Sequence, residues 1–115
     1  VMAAGEGVET MLSLRCVLPT MPMAAALSAA HLAAIQFPVH LHRLYVARDD
    51  DPAGDVAVTT LMTRADEAGI ETLILSPALG DFNEDLRLLG SEALRAAIRV
   101  QIAPQDVARF MEHAA

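Results

Sequence analysis

The sequence predicts an α/β fold with a mainly parallel sheet. Short apolar stretches of strand type alternate with longer segments of helical period. Each strand-like stretch is almost continuously apolar, as a sheet covered on both faces requires. The scale agrees: 115 residues, 54% apolar and only 20% charged, are enough to build a single core.

In chain order, strands are expected near Val1–Ala4, Met23–Leu27, Arg43–Ala47 and Glu71–Ser76. Between the first two, a helix is expected from Val8 to Leu18, with Val8, Met11, Leu12 and Leu18 on one face and Pro19 as its stop. The single cysteine, Cys16, falls inside that apolar pattern and reads as a buried thiol with no disulfide partner, which fits a reducing compartment. A short helix over Ala29–Ile35 ends before Pro38. The clearest helical period runs from Pro52 to Ala68, where Ala53, Val56, Ala57, Thr60, Leu61, Ala65 and Ala68 recur at three- and four-residue steps, and Gly69 terminates it. Pro77 to Gly80 reads as a loop and Asn83–Leu89 as a short helix. Ser91 is expected to cap a helix over Glu92–Arg99, and Pro104–His113 forms the last one.

Composition excludes several classes. No apolar run reaches the roughly 18–20 residues of a membrane span, and the N-terminus lacks a signal-peptide pattern, so a cytoplasmic protein with no membrane partner is expected. Strand character begins at Val1, which suggests a domain excised from a larger protein. A net charge of −7 argues against strong phosphate binding by this segment alone, since that affinity comes from cationic side chains releasing counterions. A nucleic-acid substrate would then be gripped through a divalent metal, a local basic patch or other domains.

Carboxylates stand just beyond three predicted strands, the region where ligands gather in open parallel sheets. They are Glu6 between two glycines, Asp49-Asp50-Asp51 before Pro52, and Asp81 in Gly80-Asp81-Phe82-Asn83-Glu84-Asp85. In an extended segment Asp49 and Asp51 share a face while Asp50 points away. Two acids aimed at one spot repel unless a cation or a proton relieves them. Magnesium, which takes oxygen ligands and often needs only one or two protein carboxylates, suits the pair, and Glu6 can serve as a general base or a third acid. Ordinary roles compete at the same positions. Asp51-Pro52 is also a helix start, Glu6 a first-turn acid, Asp49 a solvated loop acid, and Asp81 and Asn83 loop or cap residues.

The strings Ala4-Gly5-Glu6-Gly7-Val8-Glu9-Thr10, Val46-Ala47-Arg48-Asp49-Asp50-Asp51-Pro52-Ala53-Gly54 and Pro77 to Asn83 together resemble the Toprim family, in particular its branch in phage and plasmid primase or primase-helicase proteins. The likeness spans residues 1 to about 89. It implies a compact Rossmann-like domain with a four-stranded mainly parallel sheet flanked by helices: one domain over residues 1–115, with a core over 1–89 and a helical extension over 90–115. It also implies that Glu6 is the catalytic acid or base, that Asp49 and Asp51 hold Mg²⁺ (Mn²⁺ substituting), and that Asp81 assists the metal. The implied partners are a DNA template and nucleoside triphosphates, engaged through the full-length protein, with domains such as a zinc-binding module or a helicase. The isolated fragment is expected to bind metal weakly and to make little or no primer.

Two departures stand out. Arg48 replaces a commonly small residue and can pair with the acids or reach a substrate phosphate, and the segment reads Asp81-Phe82-Asn83-Glu84-Asp85 where the family usually has a single acid after Asn. Strand cleavage is the alternative activity, as a nuclease or a topoisomerase, although the sole tyrosine, Tyr45, lies in a predicted buried strand. A non-catalytic interaction module is another, supported by Val58 and Met62 if they face outward from the long helix. Asp49-x-Asp51 also resembles haloacid-dehalogenase-type phosphatases, but Ala53 stands where that family has threonine. His40 and His42 lack the further ligands of a zinc site and read as surface residues, as do His31 and His113. Met21, Met23 and Met62 read as packing, and no Gly-Lys-Ser/Thr phosphate loop is present.

Overall fold

A computed structural model describes residues 1–49 and 51–111. The order is β1 (Met2–Gly5), α1 (Val8–Val17), β2 (Met23–Ala25), α2 (Ala29–Ala33), β3 (Arg43–Ala47), α3 (Pro52–Glu67), β4 (Glu71–Leu75), α4 (Phe82–Leu89), α5 (Ser91–Arg99) and α6 (Pro104–Phe110). The four strands form one sheet in the order β2-β1-β3-β4, every pairing parallel. Strand order therefore reverses between β1 and β3, and the crevice beyond their carboxyl ends is where such a sheet places a ligand.

Alternation along the strands divides the core in two. Ala3, Tyr45, Ala47 and Leu75 face α1, α4, α5 and α6, while Ala4, Leu44 and Val46 face α2 and α3. Both faces are covered at the centre of the sheet, which is why β3 is apolar from Leu44 to Ala47, while the edge strand β4 leaves Glu71 and Ile74 exposed. No helix among the described residues is long and apolar enough to cross a membrane.

Several expectations are corrected. On α1 the buried side holds Met11, Leu14 and Val17, whereas Val8 and Leu12 are exposed and so is Cys16. Apolar residues stand on both faces of this helix and Thr10 and Ser13 on the buried one, so its periodicity could not choose the face that meets the sheet. On α3 the buried stripe is Gly54, Ala57, Val58, Leu61 and Ala65, and Val56, Thr60 and Ala53 point to solvent. Val58 is core rather than outward, and Met62 is half-buried against the same cluster. Gly90 (φ +90°), not Ser91, precedes the first turn of α5. Met21 is buried, and His31, His40 and His42 are exposed, as expected. Asp50 and His113 lie outside the described residues.

Candidate metal centre at the sheet switch point

Glu6 leaves the carboxyl end of β1, and Asp49 and Asp51 follow β3, so the three flank the switch point. The backbone at the end of β1 is tied down by the residues that follow β2: Ala26 N donates to Gly5 O at 2.8 Å and Leu27 N to Glu6 O at 2.7 Å. Gly5 is fixed by packing, because a Cβ there would stand 2.6 Å from Met11 Sδ and 3.1 Å from Ala47 Cβ. Closeness of β1, β3 and α1 is what brings Glu6 beside the aspartates.

Asp51 holds two roles at once. Its Oδ1 accepts from Gly54 N at 2.5 Å and caps α3, with Pro52 in the first turn. Gly54 leaves room for this, as a Cβ would sit 3.1 Å from that oxygen. Asp51 N donates to Asp49 O at 2.9 Å, a tight connection that keeps both carboxylates on the same side of the crevice as Glu6.

One carboxylate oxygen from each of Glu6, Asp49 and Asp51 lies within 4.8 Å of the others. Opposite ligands of an octahedral magnesium ion stand about 4.2 Å apart, so the spread matches one hard cation after sub-ångström adjustment. The donors are all oxygen, which suits a hard divalent cation better than a softer metal. Electrostatics agree. Burial, then Asp51 and Asp49, raise the Glu6 pKa above its ordinary value. Burial also raises that of Asp49, with Asp81 and Asp51 adding to the rise and a hydrogen bond from Thr10 opposing it. Three half-buried carboxylates are concentrated here, the situation a divalent ion relieves.

A family model described as Toprim domain matches residues 1–92, about four-fifths of the chain. The chain belongs to the Toprim domain family. Comparison with curated proteins and with solved structures returned no match. The Toprim domain is a metal-binding fold found in primases, nucleases and topoisomerases, and is often catalytic in enzymes that process nucleic acids.

Other acids of the Toprim domain stand around this cluster in different roles. Asp81 caps α4, its Oδ1 accepting from Glu84 N at 2.8 Å, and lies close enough to raise the Asp49 pKa without joining the three ligand oxygens. Arg48 donates two hydrogen bonds to Asp55 on the first turn of α3, at 2.7 and 3.2 Å. This acid is Asp55 and not one of the three cluster carboxylates.

Sequence reasoning missed the support around these groups. Asp85, 1% exposed, accepts from Ala78 N and Leu79 N at 2.8 Å each and clamps the loop that delivers Asp81. Its position three after Phe82, on the buried side of α4, was the available signal. Replacing Asp85 by Ala leaves two amides without their acceptor and should cost about 1.5–3 kcal/mol. A midpoint shift in urea denaturation at unchanged slope checks this; a shift near zero would show that water substitutes fully. Asn83 and Glu9 link α4 to α1, Nδ2 donating to Oε2 at 3.4 Å. Thr10 donates to Asp49, a contact between α1 and the loop after β3 that no local spacing announces.

Proposed function

We propose that this Toprim domain performs nucleotidyl transfer in primer synthesis, as the magnesium-dependent module of a larger primase-like protein of phage or plasmid type. The observation that carries the reading is the convergence of Glu6, Asp49 and Asp51 at the switch point. Asp49 and Asp51 would hold Mg²⁺, with Mn²⁺ able to substitute and Asp81 in support. A cation held there would supply charge neutralisation on the triphosphate. Glu6, held beside the two aspartates at the end of β1, would take the proton from the attacking 3′-hydroxyl. Arg48, oriented by its two hydrogen bonds to Asp55, would offer further guanidinium donors to a substrate phosphate. With a net charge of −7, the domain leaves template and nucleotide binding largely to other parts of the protein, such as a zinc-binding module or a helicase.

Tyr45 does not fit a topoisomerase nucleophile. It is fully buried, its hydroxyl donates to Asp106 at 2.5 Å and accepts from Ala103 N at 2.9 Å, and burial raises its pKa. An interaction-module reading loses its support as well, because Val58 packs inside.

The test incubates the full-length protein with single-stranded DNA, nucleoside triphosphates and Mg²⁺. Oligonucleotide synthesis is expected, falling by about 10²–10⁴-fold in Glu6→Gln. Shortening of the DNA with no synthesis would replace this reading with a nuclease. In parallel, Mn²⁺ should broaden the NMR signals of Glu6, Asp49 and Asp51 first, and the effect should vanish in Asp49→Ala and Asp51→Ala.

A further inference from the structure

Side-chain hydroxyls on the helices are spent in two ways. Thr59 and Thr63 donate to the carbonyl four residues back, at 2.9 and 3.0 Å, the local bond that helical Ser and Thr commonly make, and Ser13 does so at 2.8 Å while its hydroxyl also stands 3.5 Å from Asn83 Oδ1. Thr10 differs. Its Oγ1 donates to Asp49 Oδ1 at 3.2 Å, across 39 residues of sequence, from a residue only 4% exposed. A hydroxyl has one proton to give, and here it goes to a member of the acidic cluster rather than to the helix.

We infer that Thr10 is a positioning residue for the cation site. It fixes the Asp49 carboxylate by one oxygen and leaves the remaining acceptor capacity for a divalent ion shared with Asp51. The inference rests on the cation reading above.

Three features of the contact favour this role. Asp51 and Asp81 both act electrostatically on Asp49, so a carboxylate free to turn would swing away from them, and a donor behind it opposes that rotation. The donor is neutral. A Lys or Arg in its place would compete with the incoming cation, whereas a hydroxyl orients the carboxylate without cancelling its charge. The donor is also rigid: Thr is branched at Cβ, and α1 is fixed beneath it by Met11, Leu14 and Val17 in the core. Partners of this kind, one step removed from a metal, change its affinity by about 10–100-fold when lost.

The experiment measures Mn²⁺ affinity by the EPR signal of the free ion, for the wild-type protein, Thr10→Val and Thr10→Ser, with thermal unfolding of each recorded alongside. Val matches the shape of Thr without the donor, and Ser restores the donor without the methyl. Thr10→Val should bind Mn²⁺ about 10–100-fold more weakly while Thr10→Ser stays close to wild type. Should Thr10→Val fail to fold, Thr10→Ala replaces it, and Ala must then bind more weakly than Ser by the same margin. Wild-type binding with Thr10→Val within about twofold of it overturns the positioning role alone. So does a Thr10→Ser variant as weak as Thr10→Val. A wild-type protein that binds no Mn²⁺ overturns the cation reading and the role of Thr10 together.

Discussion

Ending the chain at Glu92, where the family match stops, is expected to abolish cooperative folding. The boundary falls at the second residue of α5, but the core does not end there. Leu94, Ile98, Ile102, Val107, Phe110 and Met111 all belong to the larger apolar cluster, packed with Tyr45, Phe82 and the buried side of α1. Truncating one such side chain costs about 2–5 kcal/mol. Losing six exceeds the roughly 5–15 kcal/mol by which a domain is stable. Polar contacts fail as well. Asp106, 2% exposed, accepts from Tyr45 Oη at 2.5 Å and from Arg43 Nη1 at 3.0 Å, and Gln101 exchanges hydrogen bonds with both backbone groups of Ser76 at the end of β4. The shortened chain should lack a sigmoidal thermal transition and near-ultraviolet circular dichroism. A transition close to that of the whole chain would show that residues 1–92 fold alone. Tyr45→Phe offers a milder check, expected to cost about 1–2 kcal/mol because Asp106 keeps Arg43 as a partner.

How much was legible follows from what each signal measures. Strand positions came through because β1, β3 and β4 are short apolar runs bounded by glycine, proline or charge, and the acids beyond β1 and β3 could be read as neighbours from the rule that ligands gather at strand ends. Helix facing did not come through. On α3, Val56 and Val58 are equally apolar, and only the sheet's position decides that Val58 is inside and Val56 68% exposed. The same holds for Cys16 on α1, a small apolar residue that the sheet does not reach. Within the site, Asp51 was legible twice, as cap and as cluster member, because one side chain serves both. Thr10 was illegible, and Asp85 legible only as an acid on the buried side of α4, for a different reason: their partners, Asp49 and the amides of Ala78 and Leu79, are set by tertiary approach and loop path rather than by local period.

Asp49→Asn should weaken Mn²⁺ binding by more than about 100-fold, beyond what loss of an outer partner produces, and yet make the metal-free protein more stable. The carboxylate is held near Glu6, Asp51 and Asp81 in a half-buried crevice, and its pKa is raised by burial and by Asp81 and Asp51 despite the hydrogen bond from Thr10. Asparagine removes the repulsion and can still accept from Thr10 through its carbonyl oxygen. After solvent screening the gain is about 0.5–1 kcal/mol at neutral pH. The sign of the pH dependence follows from linkage. Both Asp49 and Glu6 have folded values above their ordinary 3.8 and 4.5, so the folded state binds more protons than the unfolded one across that interval. Their contribution to stability therefore falls as pH rises from the ordinary values through the folded ones, and remains unfavourable at pH 7. Thermal unfolding of the metal-free wild type should show this loss on going from about pH 4 to pH 7, with a shallower loss in Asp49→Asn. Added Mg²⁺ should reverse the ranking at neutral pH, because a cation that binds only the folded wild type stabilises it by mass action and leaves the variant behind. A variant less stable than wild type in metal-free buffer at pH 7 would mean that Asp49 serves the fold more than it strains it, and the crevice would then lose its character as a site built for an absent positive charge.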